Sequence, residues 1–162
     1  MSKKAFFSFH FGNDVSRANV ARNSWVTQGR ESAGFIDKAE FEKIQRISER
    51  AVKQWIDSQL NGTSVTVVLI GAETFDRPYV KYEIEQSYKK GNAIIGVKIG
   101  GIKDMRTGLT SISQSAVKVV GKDAYGKTLW FNEIASGIYD YASDDGYRNL
   151  GSWILNARHV KV

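Results

Sequence analysis

The run Val65-Thr66-Val67-Val68-Leu69-Ile70 is almost unbroken in its apolar character and ends at Gly71. A strand with one face in water alternates apolar and polar side chains, so a run without alternation must be covered on both faces. Parallel sheets receive that cover from the helices that connect their strands. Ala5 to Phe9 and Ala93 to Ile99 have the same character, and the segments after them change to helical spacing or polar turns. The chain therefore alternates strand and helix, which argues for a central parallel sheet with helices on both faces.

Asn13 or Asp14 can cap a first helix in which Val15, Ala18, Arg22, Trp25 and Val26 recur at roughly helical spacing. Gly34-Phe35-Ile36 is predicted as a short second strand. Asp37 with Glu40 makes a capping box, and Ile36 can staple against Phe41. From there Phe41, Ile44, Ile47, Ala51 and Trp55 carry the longest helix to Asn61-Gly62, with a break expected between Arg46 and Glu49. Asp76 and Pro78 mark the first turn of the helix that follows the third strand, where a missing amide hydrogen is harmless. Lys103 to Gln114 is a polar surface loop, and Ala116 to Val120 is predicted as the fifth strand. Asp144-Asp145 would cap a last helix with Tyr147, Leu150, Trp153, Ile154 and Ala157 inward. The expected architecture is a three-layer, flavodoxin-like α/β fold with strand order 2-1-3-4-5, residues 1–162 forming one domain.

Composition narrows the chemistry. The chain has no cysteine, which excludes disulfides, thiolate metal sites and thiol nucleophiles together. Its two histidines, His10 and His159, are far apart in sequence, so no histidine-based metal site is expected. The charge balance, 23 − 17 = +6, favours anionic partners such as nucleotides, nucleic acid or an acidic protein face. No window approaches the ~18 apolar residues of a membrane span, and Met1 to Phe6 leads straight into a strand without a signal peptide. A cytoplasmic location without membrane contact is the expectation.

In a sheet of this order, strands one and three flank the crevice at their carboxyl ends. Strand one delivers Ser8-Phe9-His10, and strand three leads to the helix carrying Tyr79-Val80-Lys81-Tyr82-Glu83-Ile84-Glu85. Lys81, Glu85 and Lys89 stack on one helical face, which explains Glu85 as part of a solvent-exposed charge ladder. Glu83 lies at the edge of the inner face formed by Val80, Ile84, Ser87 and Tyr88, and the ladder does not explain it. Gly12 and Gly71 sit in neither a G-x-G-x-x-G nor a Walker pattern, so Rossmann and P-loop readings fail. Phe9-His10 and Ile70-Gly71 stand where a receiver domain needs acidic residues.

Three of these segments carry a resemblance to TIR domains. Lys4-Ala5-Phe6-Phe7-Ser8-Phe9-His10-Phe11-Gly12-Asn13-Asp14 is similar to the family's first box, and Gly34-Phe35-Ile36-Asp37 resembles the second-strand box. Tyr79-Val80-Lys81-Tyr82-Glu83-Ile84 resembles the aromatic-x-x-x-Glu motif of TIR domains that consume NAD, with Tyr79 where tryptophan is commoner. Arg22-Asn23-Ser24-Trp25-Val26, Asn61-Gly62-Thr63-Ser64-Val65-Thr66 and Asp144-Asp145-Gly146-Tyr147 look like the TIR-like proteins of bacterial Thoeris anti-phage defence. The resemblance implies an enzyme with NAD as substrate and no cofactor. It would cleave the nicotinamide–ribose bond and release a cyclic ADP-ribose-type signal that activates a partner effector, which depletes NAD. It further implies a phage component as trigger and a homo-oligomer as the working state. Glu83 takes the catalytic role by this resemblance, and Tyr79, Phe9, His10, Ser8 and Asp37 become substrate-binding candidates. Arg22, Asn23 and Trp25 are further candidates for lining the pocket. The rival expectations are a non-catalytic TIR-like interaction module, and a flavodoxin-like domain that binds nucleotides or nucleic acid.

Overall fold

The computed structural model of the protein describes residues 3–26, 32–33 and 38–162. In chain order the elements are β1 (Ala5–Ser8), α1 (Phe11–Val26), β2 (Ser32–Ala33), α2 (Lys38–Ile47) and α3 (Glu49–Leu60). Next come β3 (Val65–Ile70), a 3-10 turn (Thr74–Asp76), α4 (Pro78–Lys90) and β4 (Ala93–Lys98). The chain closes with β5 (Val119–Lys122), β6 (Thr128–Trp130), α5 (Phe131–Ile134), β7 (Gly137–Asp140) and α6 (Gly146–Asn156).

The main sheet is parallel throughout, in the order β2-β1-β3-β4-β7. This is the expected architecture, with a different occupant of the fifth position. Val119–Lys122 does not join the sheet but pairs antiparallel with Thr128–Trp130 in a separate hairpin. Its burial explains the difference: Val120 is enclosed while Val119 is exposed, as suits a two-stranded ribbon with one covered face. Gly137–Asp140, in a stretch whose pattern settles nothing, pairs with β4 instead.

All six residues of β3 are buried, so the missing alternation has the predicted cause. Val65, Val67 and Leu69 face a core shared with Ala18, Ala21 and Trp25 of α1 and with Leu150 and Ile154 of α6. Val68 and Ile70 face Val80, Ile84 and Tyr88 of α4. Phe6 of β1 looks the same way, against Val52, Ile56 and Leu60 of α3. Thr66 is the one polar residue of the strand, and it is fully buried on the α4 side.

The long helix does break where expected. Ser48 separates α2 from α3 with extended backbone, and its hydroxyl accepts the Ala51 N–H at 3.0 Å. Residues 34–37, which include the expected second strand and Asp37, lie outside the described residues. The first helix starts at Phe11, earlier than an Asn13 or Asp14 cap would allow. The capping acceptor is His10, whose Nδ1 takes the Asn13 N–H at 3.1 Å while its carbonyl takes the Asp14 N–H at 2.9 Å. At α6 the Asp145 side chain makes no cap bond, and the Asp144 carboxylate accepts the Asp140 N–H at 2.7 Å. Asp144, together with Asp140, whose carboxylate accepts the Ala142 and Ser143 N–H groups, braces the turn after β7. Helix α4 opens on Pro78 and closes on Gly91, whose φ of 93° suits only a residue without Cβ strain. No described helix is long and apolar enough to cross a membrane.

Replacing Ser48 with alanine leaves the first amides of α3 without their cap. Urea unfolding of Ser48→Ala is expected to show a loss of about 1 kcal/mol with an unchanged denaturant slope.

Candidate active site

The carboxyl end of β1 and the first turns of α4 open into a cleft of about 180 Å³. Its aromatic walls are Phe9, Phe11 and Tyr79, its polar lining is His10, Gln45 and Arg77, and two carboxyl groups, Glu42 and Glu83, reach it. Ile56 and Val80 supply apolar floor. Phe9 and Phe11 lean together with ring centroids 4.5 Å apart, so the β1 side of the cleft is an aromatic ledge. Tyr79, in the first turn of α4, packs on the Phe6–Ile56 cluster and forms the facing wall.

Glu83 is not at the edge of the inner face but inside it, with 4 % of its surface exposed. One turn into α4, it points toward β1, where the Ser8 hydroxyl donates to Oε1 at 2.8 Å. Burial pushes the Glu83 carboxyl up to about 8, against the lowering effect of the Ser8 hydrogen bond. Desolvation dominates because a lone neutral donor replaces only part of the water that an ionised carboxylate would hold. Glu85, two positions on, keeps the ladder partner Lys89 at 3.2 Å and also accepts the Lys122 N–H at 2.8 Å, tying α4 to the β5–β6 hairpin.

His10 is 6 % exposed, and its Nδ1 is occupied as the α1 cap, so a neutral ring carries its proton on Nε2. That nitrogen has no hydrogen-bond partner among the described residues and stands 4.0 Å from the Glu73 carboxylate. Behind it, burial raises the Asp14 carboxyl, and the Arg17 guanidinium at 3.5 Å opposes the shift. Gly71 is required here because a Cβ would run into the Asp14 carboxylate. Arg17 also donates to the carbonyls of Ile102 (2.8 Å) and Leu109 (3.0 Å), pinning the loop after β4 across this end of the sheet.

Of the candidates read from the sequence, Glu83, Phe9, His10 and Tyr79 meet at one cleft. Ser8 is fully buried beneath it and touches Glu83 rather than open space. Asp37 lies outside the described residues. Trp25 is wholly in the core, and neither it nor Arg22 nor Asn23 lines the cleft. Sequence reasoning missed Arg77, Glu42 and Gln45. Arg77 carried a usable signal, since it immediately precedes the proline that opens α4 and must stand at the helix entrance.

A 2-1-3-4 parallel sheet with a carboxyl-bearing helix after β3, facing the end of β1, defines a TIR-like α/β domain. Residues 6–104 match the family described as Thoeris protein ThsB, TIR-like domain. The chain is also 35 % identical over 191 aligned residues to a Bacillus cereus (strain MSX-D12) protein named "Putative cyclic ADP-D-ribose synthase ThsB1", covering 95 % of this chain and 100 % of that relative. The chain belongs to the ThsB TIR-like family of Thoeris defence.

The raised Glu83 carboxyl links stability to pH. Folding holds a proton on Glu83 that the unfolded chain, with a value of 4.5, has released. The folded state is thus favoured most below about pH 4.5 and loses that contribution as pH rises through about 8. Glu83→Gln removes the titration and keeps an acceptor for Ser8. Its stability relative to wild type, followed by urea unfolding between pH 6 and 9, is expected to improve with pH toward a gain on the order of a few kcal/mol.

Proposed function

We propose that this chain cleaves the nicotinamide–ribose bond of NAD and closes the remaining ADP-ribose on itself, giving a cyclic ADP-ribose-type signal. The observation that carries the reading is Glu83, a carboxyl group withheld from water at the cleft between the end of β1 and the first turns of α4. The relative's name, a cyclic ADP-D-ribose synthase, points to the same chemistry.

When the C1′–N bond breaks, its electron pair leaves with the nicotinamide nitrogen, and positive charge develops over C1′ and the ring oxygen of ribose. A carboxylate beside that ring stabilises the charge and can grip the ribose hydroxyls. The resting carboxyl is protonated at neutral pH, but the cationic nicotinamide ring of bound NAD favours its ionised form. Ring closure requires a second nucleophilic position of the same molecule at C1′ before water arrives. The aromatic ledge of Phe9 and Phe11 and the wall of Tyr79 provide faces on which adenine or nicotinamide can stack, at roughly 1–3 kcal/mol per base. Arg77 at the cleft entrance supplies a permanent cation for the pyrophosphate. His10 lines the β1 side of the cleft, and Ser8 holds Glu83 from below. Asp37, outside the described residues, is a substrate-binding candidate from its box position alone. No cofactor enters this scheme.

In a cell the signal would diffuse to a partner effector that depletes NAD, with a phage component as trigger and a homo-oligomer as the working form. The chain would act in the cytoplasm as a single TIR-like unit. A second reading has one observation in its favour: at 4 % exposure Glu83 can be a structural carboxyl of a non-catalytic interaction module.

Mass spectrometry of small molecules from phage-infected cells separates the two. Glu83→Gln is expected to lower the cyclic product by a factor of about 10² or more while the protein still folds. Wild-type product levels from a folded Glu83→Gln protein would overturn the catalytic assignment and favour the interaction module.

A further inference from the structure

Glu83 is held twice, once by its carboxyl and once by its main chain. Ser87, one turn later on α4 and fully buried, donates its hydroxyl to the Glu83 carbonyl at 2.7 Å. A serine that bonds back in this way is common inside helices and by itself says little. What sets this one apart is Thr66. The buried Thr66 hydroxyl of β3 donates to Ser87 Oγ at 2.7 Å and itself accepts from Asn92 Nδ2 at 3.2 Å. Each hydroxyl has one hydrogen, so the order of donation is fixed: Asn92 to Thr66, Thr66 to Ser87, Ser87 to Glu83.

Valine would fill the same volume as threonine in the apolar run Val65–Ile70. A buried hydroxyl is unfavourable there unless it is bonded, so its presence is explained by the bond. The spacing also matches. Ser8 pairs with Val68 and Phe6 with Thr66, so Ser8 lies one pleat repeat, about 6.6 Å, nearer the carboxyl end than Thr66. Glu83 precedes Ser87 by four residues, about 6 Å of helix rise. Helix α4 returns from the carboxyl end of β3 to the amino end of β4. Ser8 therefore meets Glu83 while Thr66 meets Ser87. Two hydroxyls on one sheet face, from neighbouring strands, fix both the height and the rotation of the helical turn that carries the carboxyl.

We infer that Thr66, acting through Ser87, is a positioning residue for Glu83. The inference rests on Glu83 as the ribose-facing carboxylate of the proposed reaction, and Thr66 itself does not reach the cleft. Removing its hydroxyl frees the turn to slide or rotate on β3, which lengthens the Ser8–Glu83 bond and misplaces the carboxyl. A misplacement of this kind lowers turnover more than binding, because stabilisation of developing charge depends on geometry that ground-state contacts do not share.

The test uses Thr66→Val, Thr66→Ser and Ser87→Ala in the full chain, with NAD turnover followed in extracts of infected cells. Thr66→Val is expected to lower kcat about tenfold with KM for NAD within about twofold, Thr66→Ser to restore kcat to within about twofold, and the Thr66→Val, Ser87→Ala pair to lose no more than the worse single variant. Wild-type kcat in a folded Thr66→Val protein, or losses that multiply in the pair, would overturn the inference. A second measurement does not need turnover. The carboxyl carbon of Glu83, followed by NMR against pH, is expected to titrate roughly half a unit or more higher in Thr66→Val, because the Ser8 hydroxyl no longer lowers it. An unmoved midpoint also overturns the inference. Product from Glu83→Gln would instead remove the catalytic reading and leave the NMR result to decide the positioning role alone.

Discussion

The hydrogen bond from Ser8 to Glu83, 2.8 Å long and out of reach of water, is the interaction around which this end of the molecule is arranged. A carboxyl group in that position is expensive when ionised and tolerable when protonated, and the single donor beneath it does not reverse the balance. The surroundings are built to keep it there. Ile84 and Val80 on either side of it pack into the core against Val68 and Ile70, so α4 cannot lift Glu83 out without exposing apolar surface. Gly91 and the Lys89–Lys90 end of the helix terminate α4 cleanly and complement its dipole, which leaves the first turns as the part aimed at the cleft.

The loop after β4 is fixed by a different device. Asp14 and Arg17 of α1 and Asp104 of the loop after β4 form a buried charged cluster, in which Asp104 also holds Arg106 at 2.9 Å and Arg17 is bonded to two loop carbonyls. Removing one member of such a cluster leaves an uncompensated charge, which is why buried ion pairs hold geometry more firmly than they add stability. Here the geometry they hold is the path of the loop after β4 across the carboxyl end of the sheet. That leaves the cleft mouth between the Phe9–Phe11 ledge and Tyr79.

Much of this was legible in the sequence for physical reasons that can be named. Short unalternating runs at β1, β3 and β4, too short for buried helices and bounded by turn residues, fit strands covered on both faces, and the break at Ser48 follows from a helix too long for its caps. Glu83 stood out because the Lys–Glu ladder accounted for its neighbour and not for it. The failures have causes too. Val119–Lys122 and Gly137–Asp140 are both short strands, and hydrophobic pattern cannot tell a hairpin strand from a sheet edge when the deciding partner is far along the chain. The start of α1 was misplaced because the usual cap residues, Asn13 and Asp14, lie within the first turn while a histidine performs the capping. Arg77, Glu42 and Gln45 come to the cleft from α2 and from the entrance of α4, and their meeting depends on the packing of α3 between them.

Thr66 is the case in which local pattern and function part company. Read along the strand, it is a β-branched residue in a β-branched run and fits without comment. Read across the sheet, it is the one side chain of β3 that needs a polar partner, and the partner lies one turn of α4 beyond Glu83 and is bonded back to it. A hydrophobic residue of equal size would fill the same space but would take an acceptor from Asn92 and a donor from Ser87. The hydroxyl therefore answers a polar demand made by α4 and the turn after it, not by the apolar core. Strand β3 does two jobs with alternate side chains: Val65, Val67 and Leu69 secure α1 and α6, while Thr66 joins Val68 and Ile70 in setting where α4 presents its carboxyl.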